Sequence, residues 1–411
     1  MTPTTLYRNG RVHSPADPRA TALLVADGRI AWLGEADDAP ATDAVYDLDG
    51  DLLAPAFVDA HVHTTDTGIV LLGLDLAGTR SAAEVLARVE RHAAKLPADS
   101  VVLGHGWDES FWVDETPPTA TELDRAGAGR RVYLAQASVH SALVSSPLLA
   151  ECPPDTPGYS DTGLLRQQAH HVVRELAMGA LTPGQRRIAQ RGALAHAASL
   201  GIAAVHECGG PGTSSESDFQ AVLELGRTGE LPEVYGYWGE LNSAAKAREL
   251  GAVGAGGDLY ADGALGSRTA HLREPYVDTG GCGASYVTVD QVATHLVDCT
   301  RQGVQGGFHA IGDKAIATVL AGFALAAAQV GLERLRDGRH RIEHLEILDK
   351  QLIAGLVNFG VMASVQPAFD RLWGGDDAMY AHRLGVARSR ASNPFGSLAG
   401  VGVPMAFGSD A

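Results

Sequence analysis

Lysine is the first thing this sequence is short of. Lys95, Lys246, Lys314 and Lys350 are the only four in 411 residues, and arginine carries the remaining positive charge. Positive charge as a whole is scarce: 32 basic residues stand against 49 acidic ones, a formal net charge of −17. A surface of that sign repels phosphate backbones, which argues against nucleic acid as a partner. Cysteine is sparse too. Cys152, Cys208, Cys282 and Cys299 are scattered, with no CxxC pair and no disulfide framework. No run approaches about 18 apolar residues, so no transmembrane helix and no membrane partner are expected. The opening stretch "MTPTTLYRNGRV" lacks the apolar centre of a secretion signal. Together these shortages predict a soluble protein in a reducing, cytoplasmic setting.

What is present is core-forming material. Hydrophobic residues make up 45% and charged residues, well dispersed, 20%. A chain of this length suits one large α/β domain with a satellite. Residues 1–53 read as short strands: "TLYRNGRV" and "ALLVADGRIAWLG" alternate and turn at Asn-Gly and Asp-Gly, which are hairpin signals. From residue 54 on, strand-like runs alternate with helix-like segments. The strand candidates are "LLAPAFVDA", "GIAAVHECG", "PEVYGYWG", "GDLYADG", "VQGGFHAIG", "HRIEHLEI", "GVMASVQP" and "GVPMAFGSD". Repeated strand–helix alternation implies parallel βα units, and this number of strands predicts a (β/α)8 TIM-type barrel over 54–411. Residues from about 76 to about 170 do not fit that count. They hold a helix, two strand-like runs and the Pro-rich "ECPPDTPGYSDTG", and read as an insertion after the first barrel strand.

A barrel of this kind keeps its chemistry at the C-terminal ends of its strands. There stand His61 and His63, His206 and Glu207, Asp258 and Asp262, His309, His344 and Asp410. Side chains two apart on an extended segment share a face, so His61 and His63 can address one ion. His206 and Asp262 are more simply read as satisfied structural residues. His61, His63, His309, His344 and Asp410 taken together suit Zn2+ or another divalent transition metal.

The stretches "APAFVDAHVH", "GHGWDES", "ADGALGSRTAHLREPY", "HAIGDKAI", "RIEHLEI", "SVQP" and "FGSDA" occur in this order from end to end. In them the chain resembles the amidohydrolase superfamily. More narrowly it is similar to the type-3 amidohydrolases, which include the N-substituted formamide deformylases. The resemblance implies that His61 and His63 bind the more buried metal, and that His309 and His344 serve a second metal or the substrate and hydroxide. It implies that Asp410 ligates metal and acts as general base and then acid. It also implies that the N-terminal strands form part of a β-sandwich which C-terminal strands normally complete.

Two departures from the family stand out. Where it usually carries a lysine whose carbamylated amine bridges two metals, this chain has Asp258, in "GDLYADG". None of the four lysines falls at an equivalent place. Three arrangements follow: a single-metal site, a bridge by Asp258 with shifted metals, or a bridge by Glu207. The cofactor expectation is therefore one or two ions per chain. The second departure is that the sequence stops one residue after Asp410. It reads as a fragment whose C-terminal part is missing; taken as whole, it would expose apolar surface on the last strands and the N-terminal unit, which predicts weak stability, a homodimer or inactivity.

The chemistry this predicts is hydrolysis of a C–N bond in a small amide, formamide or cyclic amide, by a metal-activated water with Asp410 as proton carrier and the metal, or His344, stabilising the oxyanion. Trp107, Asp108 and His140 in the insertion, and Arg268 in "GSRTA", are the candidate substrate contacts. The competing readings are a catalytically silent barrel that binds a metal or ligand, and a deaminase or esterase using the same residues.

Overall fold

Asp27 and Gly28 turn the chain with φ of +52° and +69°, the conformation that a two-residue hairpin turn requires and that Asp-Gly adopts readily. The strands Ala22–Ala26 and Arg29–Gly34 pair antiparallel across it. The computed structural model describes residues 3–109, 112–113, 116–137, 141–211 and 213–411. The chain divides after Phe57 into two units. In the first, a sheet runs in the order Arg29–Gly34, Ala22–Ala26, Thr4–Arg8, Ala44–Asp47, and Arg11–Val12 pairs separately with Leu52–Leu53. Asn9-Gly10 is thus not a hairpin. It diverts the chain from one sheet to the other, and a Cβ on Gly10 would lie 2.6 Å from the Asp51 carbonyl.

The second unit holds an eight-stranded sheet in chain order: β1 (Phe57–Val62), β2 (Ile202–Gly209), β3 (Glu233–Trp238), β4 (Gly254–Ala255), β5 (Gln305–Ala310), β6 (Arg341–His344), β7 (Met362–Val365) and β8 (Met405–Phe407). Every pairing from β2 to β8 is parallel. Beyond β8 the Asp410 amide donates to the His61 carbonyl at 2.8 Å, and the His63 amide donates to Ala411 at 2.9 Å. These bonds join the last strand to the first, making a (β/α)8 barrel.

The fourth strand differs from expectation. The stretch 257–263 is irregular, held to β5 by a Tyr260–His309 bridge and by bonds from His309 to Leu259 and from Ala261 to His309. Gly256 lets the backbones touch, since a Cβ there would lie 2.5 Å from the Gly307 amide, and Gly257 turns with φ +75°.

Between β1 and β2 the insertion forms its own five-stranded sheet, ordered Leu164–Arg166, Ser141–Val144, Val132–Gln136, Val102–Trp107, Leu74–Asp75. The run "RRVYLAQASVHSALV" supplies two antiparallel strands of it rather than one.

The barrel core gathers Phe308, Ile342, Ala363 and Val365 from the strands and Ile316, Val319, Phe323 and Leu356 from the helices outside. Helix Asp313–Val330 is long and apolar enough by composition to cross a membrane, but here it contributes Ile316, Val319 and Phe323 to that core. Helix Val289–Gln302 starts at a capping box of Thr288 and Gln291. Its His295 accepts from the Asn242 amide and His340 accepts from the Gly306 amide. Burial pushes both imidazoles down to about 4, and they sit neutral as structural acceptors. Phe57 and Val58 on β1, Phe407 on β8, and Val45, Tyr46 and Leu52 in the N-terminal unit are exposed.

Candidate metal centre

β1 carries its inward-facing histidine, His61, into full burial, and His63 follows two residues on along the same face. The backbone bonds between Asp410 and His61 bring the Asp410 carboxylate alongside them, with Asp410 itself at φ +57°. His309 closes in from β5, and His344 from the end of β6 at φ +72°. Left-handed backbone at a histidine and an aspartate in one site is strain that the surrounding structure must hold in place.

These side chains make two groups that share one residue. His61, His63, Asp258 and Asp410 form the first; Asp258, His309 and His344 form the second; in each the ligand-type atoms lie within 4.8 Å of one another. Asp258 Oδ1 stands 3.5 Å from His61 Nε2 and 3.6 Å from His309 Nδ1, and Oδ2 stands 3.0 Å from His63 Nε2. Asp410 Oδ1 is 3.3 Å from the Nε2 of both His61 and His63. Donors around one tetrahedral ion at about 2.1 Å are separated by roughly 3.4 Å, the spacing found here.

The fit to a metal shows most clearly in the hydrogen bonding. His61 Nδ1 donates to Glu343 Oε2 at 3.0 Å, His344 Nδ1 to Gln366 Oε1 at 2.8 Å, and His309 Nε2 to the Gly263 carbonyl at 3.3 Å. Each ring is thus pinned by one nitrogen. Among the described residues the other nitrogen (Nε2 of His61 and His344, Nδ1 of His309) is buried with no hydrogen-bond partner, and so is Asp258 Oδ1. Buried polar atoms are otherwise nearly always paired, and imidazoles held by an acceptor on one side with a lone pair free on the other are what a metal requires.

The electrostatics agree. Burial disfavours a charge on Asp258, but His309, His344, His61 and His63 outweigh it and hold the carboxyl well below its usual range. Burial likewise opposes ionisation of Asp410, and His63 with His61 and His344 brings it down to about 2. Against burial, Asp258 and Asp410 raise His63 well above its ordinary value and raise His344 as well.

Other sequence candidates fall outside this cluster. Glu207 is committed to the start of helix Thr64–Leu72, accepting from the Thr64 amide at 2.9 Å, and joins neither group. Asp262 clamps the turn after β5, accepting from the amides of Ile311, Gly312 and His271. His206 accepts from Arg341 at 3.0 Å. Trp107 is fully buried in the insertion core, its indole donating to the Leu134 carbonyl. Asp108 is half-buried beside it, and neither lines the cavity that opens on His63. Arg268 is committed to Asp278, at 3.0 and 2.8 Å, a carboxylate shared with Arg383. His140 lies outside the described residues.

The cavity of about 740 Å³ that reaches His63 is lined by Tyr260, Glu207 and Asp66 and extends to Arg174 and Glu175 on helix Gln167–Gly179, at the end of the insertion. Tyr260 also donates to Asp258 Oδ2 at 3.1 Å. The residues missed from the sequence are Glu343, Arg341 and Gln366. The alternation in "RIEH" is the signal that was available: it sends two charged side chains, Arg341 and Glu343, into the barrel interior.

The sequence profile described as the Amidohydrolase family matches residues 44–411. A Bacillus subtilis protein named "Putative amidohydrolase YtcJ" is 28% identical over 96% of this chain and 77% of its own length. The N-substituted formamide deformylase of Arthrobacter pascens is 34% identical over 136 residues, which cover 32% of this chain and 25% of that protein. Among solved structures, an uncharacterized metal-dependent hydrolase from Pyrococcus furiosus superposes with a TM-score of 0.81 at 24% identity, covering 99% of this chain and 85% of that one.

Proposed function

Because this chain belongs to the amidohydrolase family, we propose that it is a metal-dependent hydrolase of small C–N substrates such as amides, formamides or cyclic amides. The observation that carries this reading is the set of three buried imidazoles, each pinned at one nitrogen and unpartnered at the other, gathered around Asp258. The local likeness to a formamide deformylase supports the C–N bond as the target.

His61, His63 and Asp410 would hold one ion, His309 and His344 a second, and Asp258 would bridge them. Asp258 stands in both groups, whereas Glu207 stands in neither. A divalent ion, when bound, supplies Lewis acidity and lowers the pKa of water at the site to about 7. Asp410 is ionised and 18% exposed at its side chain, so its carboxylate is placed to take a proton from the attacking water. It would then return that proton to the leaving nitrogen, one group serving both steps because both atoms lie within its reach. His344 is held for the second ion by Gln366 at Nδ1 and by Phe369, whose ring stacks on it. Tyr260 lines the substrate side beside His63.

Elemental analysis of the purified protein, together with an amide and formamide hydrolysis screen, tests this. About two equivalents of metal are expected, and Asp410→Asn is expected to lower turnover by about 100- to 10,000-fold. Purified protein without metal, or turnover indifferent to Asp410→Asn, contradicts the proposal. Metal without turnover on any amide, ester or amine substrate identifies a silent metal-binding barrel instead.

A further inference from the structure

Glu343 belongs to neither candidate metal group, yet it is fully buried against one of the ligands. Its Oε2 lies 3.0 Å from His61 Nδ1. An ionised carboxylate only accepts, so Nδ1 carries the proton of that bond, and Nε2, facing Asp258 and Asp410, is the nitrogen left to take an ion. Arg341 fixes the carboxylate in turn. Its Nε meets Oε1 at 2.5 Å and its Nη2 meets Oε2 at 2.8 Å. The same guanidinium bonds the Ala60 carbonyl at 2.6 Å, one residue before His61, and Ser364 on β7 at 2.8 Å, and it lies 4.3 Å from the centre of the Tyr237 ring. The position of Glu343 is therefore tied to β1, β3, β6 and β7 at once.

We propose that Glu343, held by Arg341, is a positioning residue that fixes the His61 ring and thereby sets the affinity of the His61–His63–Asp258–Asp410 group for its ion, touching neither ion nor substrate. Its reach is confined to that group. His344 is pinned by Gln366 and His309 by the Gly263 carbonyl, so the second group keeps its own supports when Glu343 changes. A residue of purely structural importance would show no such selectivity between the two groups.

The inference rests on the two-group metal reading above, and one experiment separates the two. Zn2+ is titrated into chelator-stripped protein against a competing chromophoric chelator, for wild type and Glu343→Gln. Wild type is expected to show two binding steps. In Glu343→Gln one step is expected to weaken by about 10- to 100-fold while the other is unchanged, which also shows that the variant is folded. Two steps at wild-type affinity, or two steps weakened alike, overturn the positioning role. Should Glu343→Gln prove insoluble because Arg341 loses its counter-charge, Glu343→Asp keeps the charge and withdraws the oxygens by one methylene. It is expected to show the same one-step loss, and full affinity in it overturns the proposal. A wild-type chain that binds no Zn2+ fails the metal reading itself; a wild type that binds with an indifferent Glu343 variant fails only the positioning role.

Discussion

Without an ion, Asp258 and Asp410 hold protons on His63 and His344 above their ordinary range. A metal must displace those protons, because only neutral imidazole is a ligand. Zn2+ binding near pH 7 is therefore expected to release protons, and calorimetry in buffers of differing ionisation enthalpy reads the number; a buffer-independent heat contradicts it. How far individual residues could be read from the chain depended on distance. His61 and His63 are legible because a strand puts alternate residues on one face. The Asp258 substitution is legible by its place before "ADG", but its reach to both groups is not, because that depends on an irregular segment laid against β5. Glu343 was missed because its partner His61 is 282 positions away. The commitments of Trp107 to a core carbonyl and of Arg268 to Asp278 are illegible for a related reason: an indole in a core and a guanidinium in an ion pair look, in sequence, like any other near a motif.

Elements place these residues, and some are placed by contact at van der Waals limits. Helix Thr64–Leu72 begins right after His63 and crosses helix Pro183–Ser199 where Gly68 meets Ala189: a Cβ on Gly68 would stand 1.9 Å from the Ala189 carbonyl. Gly68→Ala must push the helices apart, with an expected cost of about 1–3 kcal/mol, read as a lower urea midpoint, and a shift of the Thr64 amide from Glu207. An unchanged midpoint would mean that the helices are free to slide. The alternation of strands and helices made the barrel legible, since period two and period 3.6 differ over a few residues. Gly257 was read as the start of a strand because glycine carries no hydrophobic pattern to mark where pairing stops, and Asn9-Gly10 as a hairpin because the dipeptide does not reveal which sheet the next strand joins.

At the scale of the whole molecule, acid stability follows from the neutral histidines of the core. His295 and His340 stay uncharged in the fold down to about 4, whereas in the unfolded chain each protonates near about 6.5. Their folded values are depressed, so the unfolded state binds more protons as pH falls, and stability is lost between about pH 6.5 and about pH 4. The upper limit is about 3 kcal/mol for each. The metal-site histidines of the ion-free protein, with raised values, act in the opposite direction, losing stability as pH rises. Urea midpoints of the metal-loaded protein are thus expected to fall steadily from pH 7 to pH 5; a flat profile contradicts this. The bonds that join Asp410 and Ala411 to His61 and His63, reinforced by the Ser409 amide donating to Asp59 across 350 positions, also bear on time. Closing so long a loop costs little more than closing a short one, but contacts this distant form late. A chain leaving the ribosome carries its two leading histidines long before the aspartate that completes their group, so the ion site cannot be assembled until the eighth strand has been made.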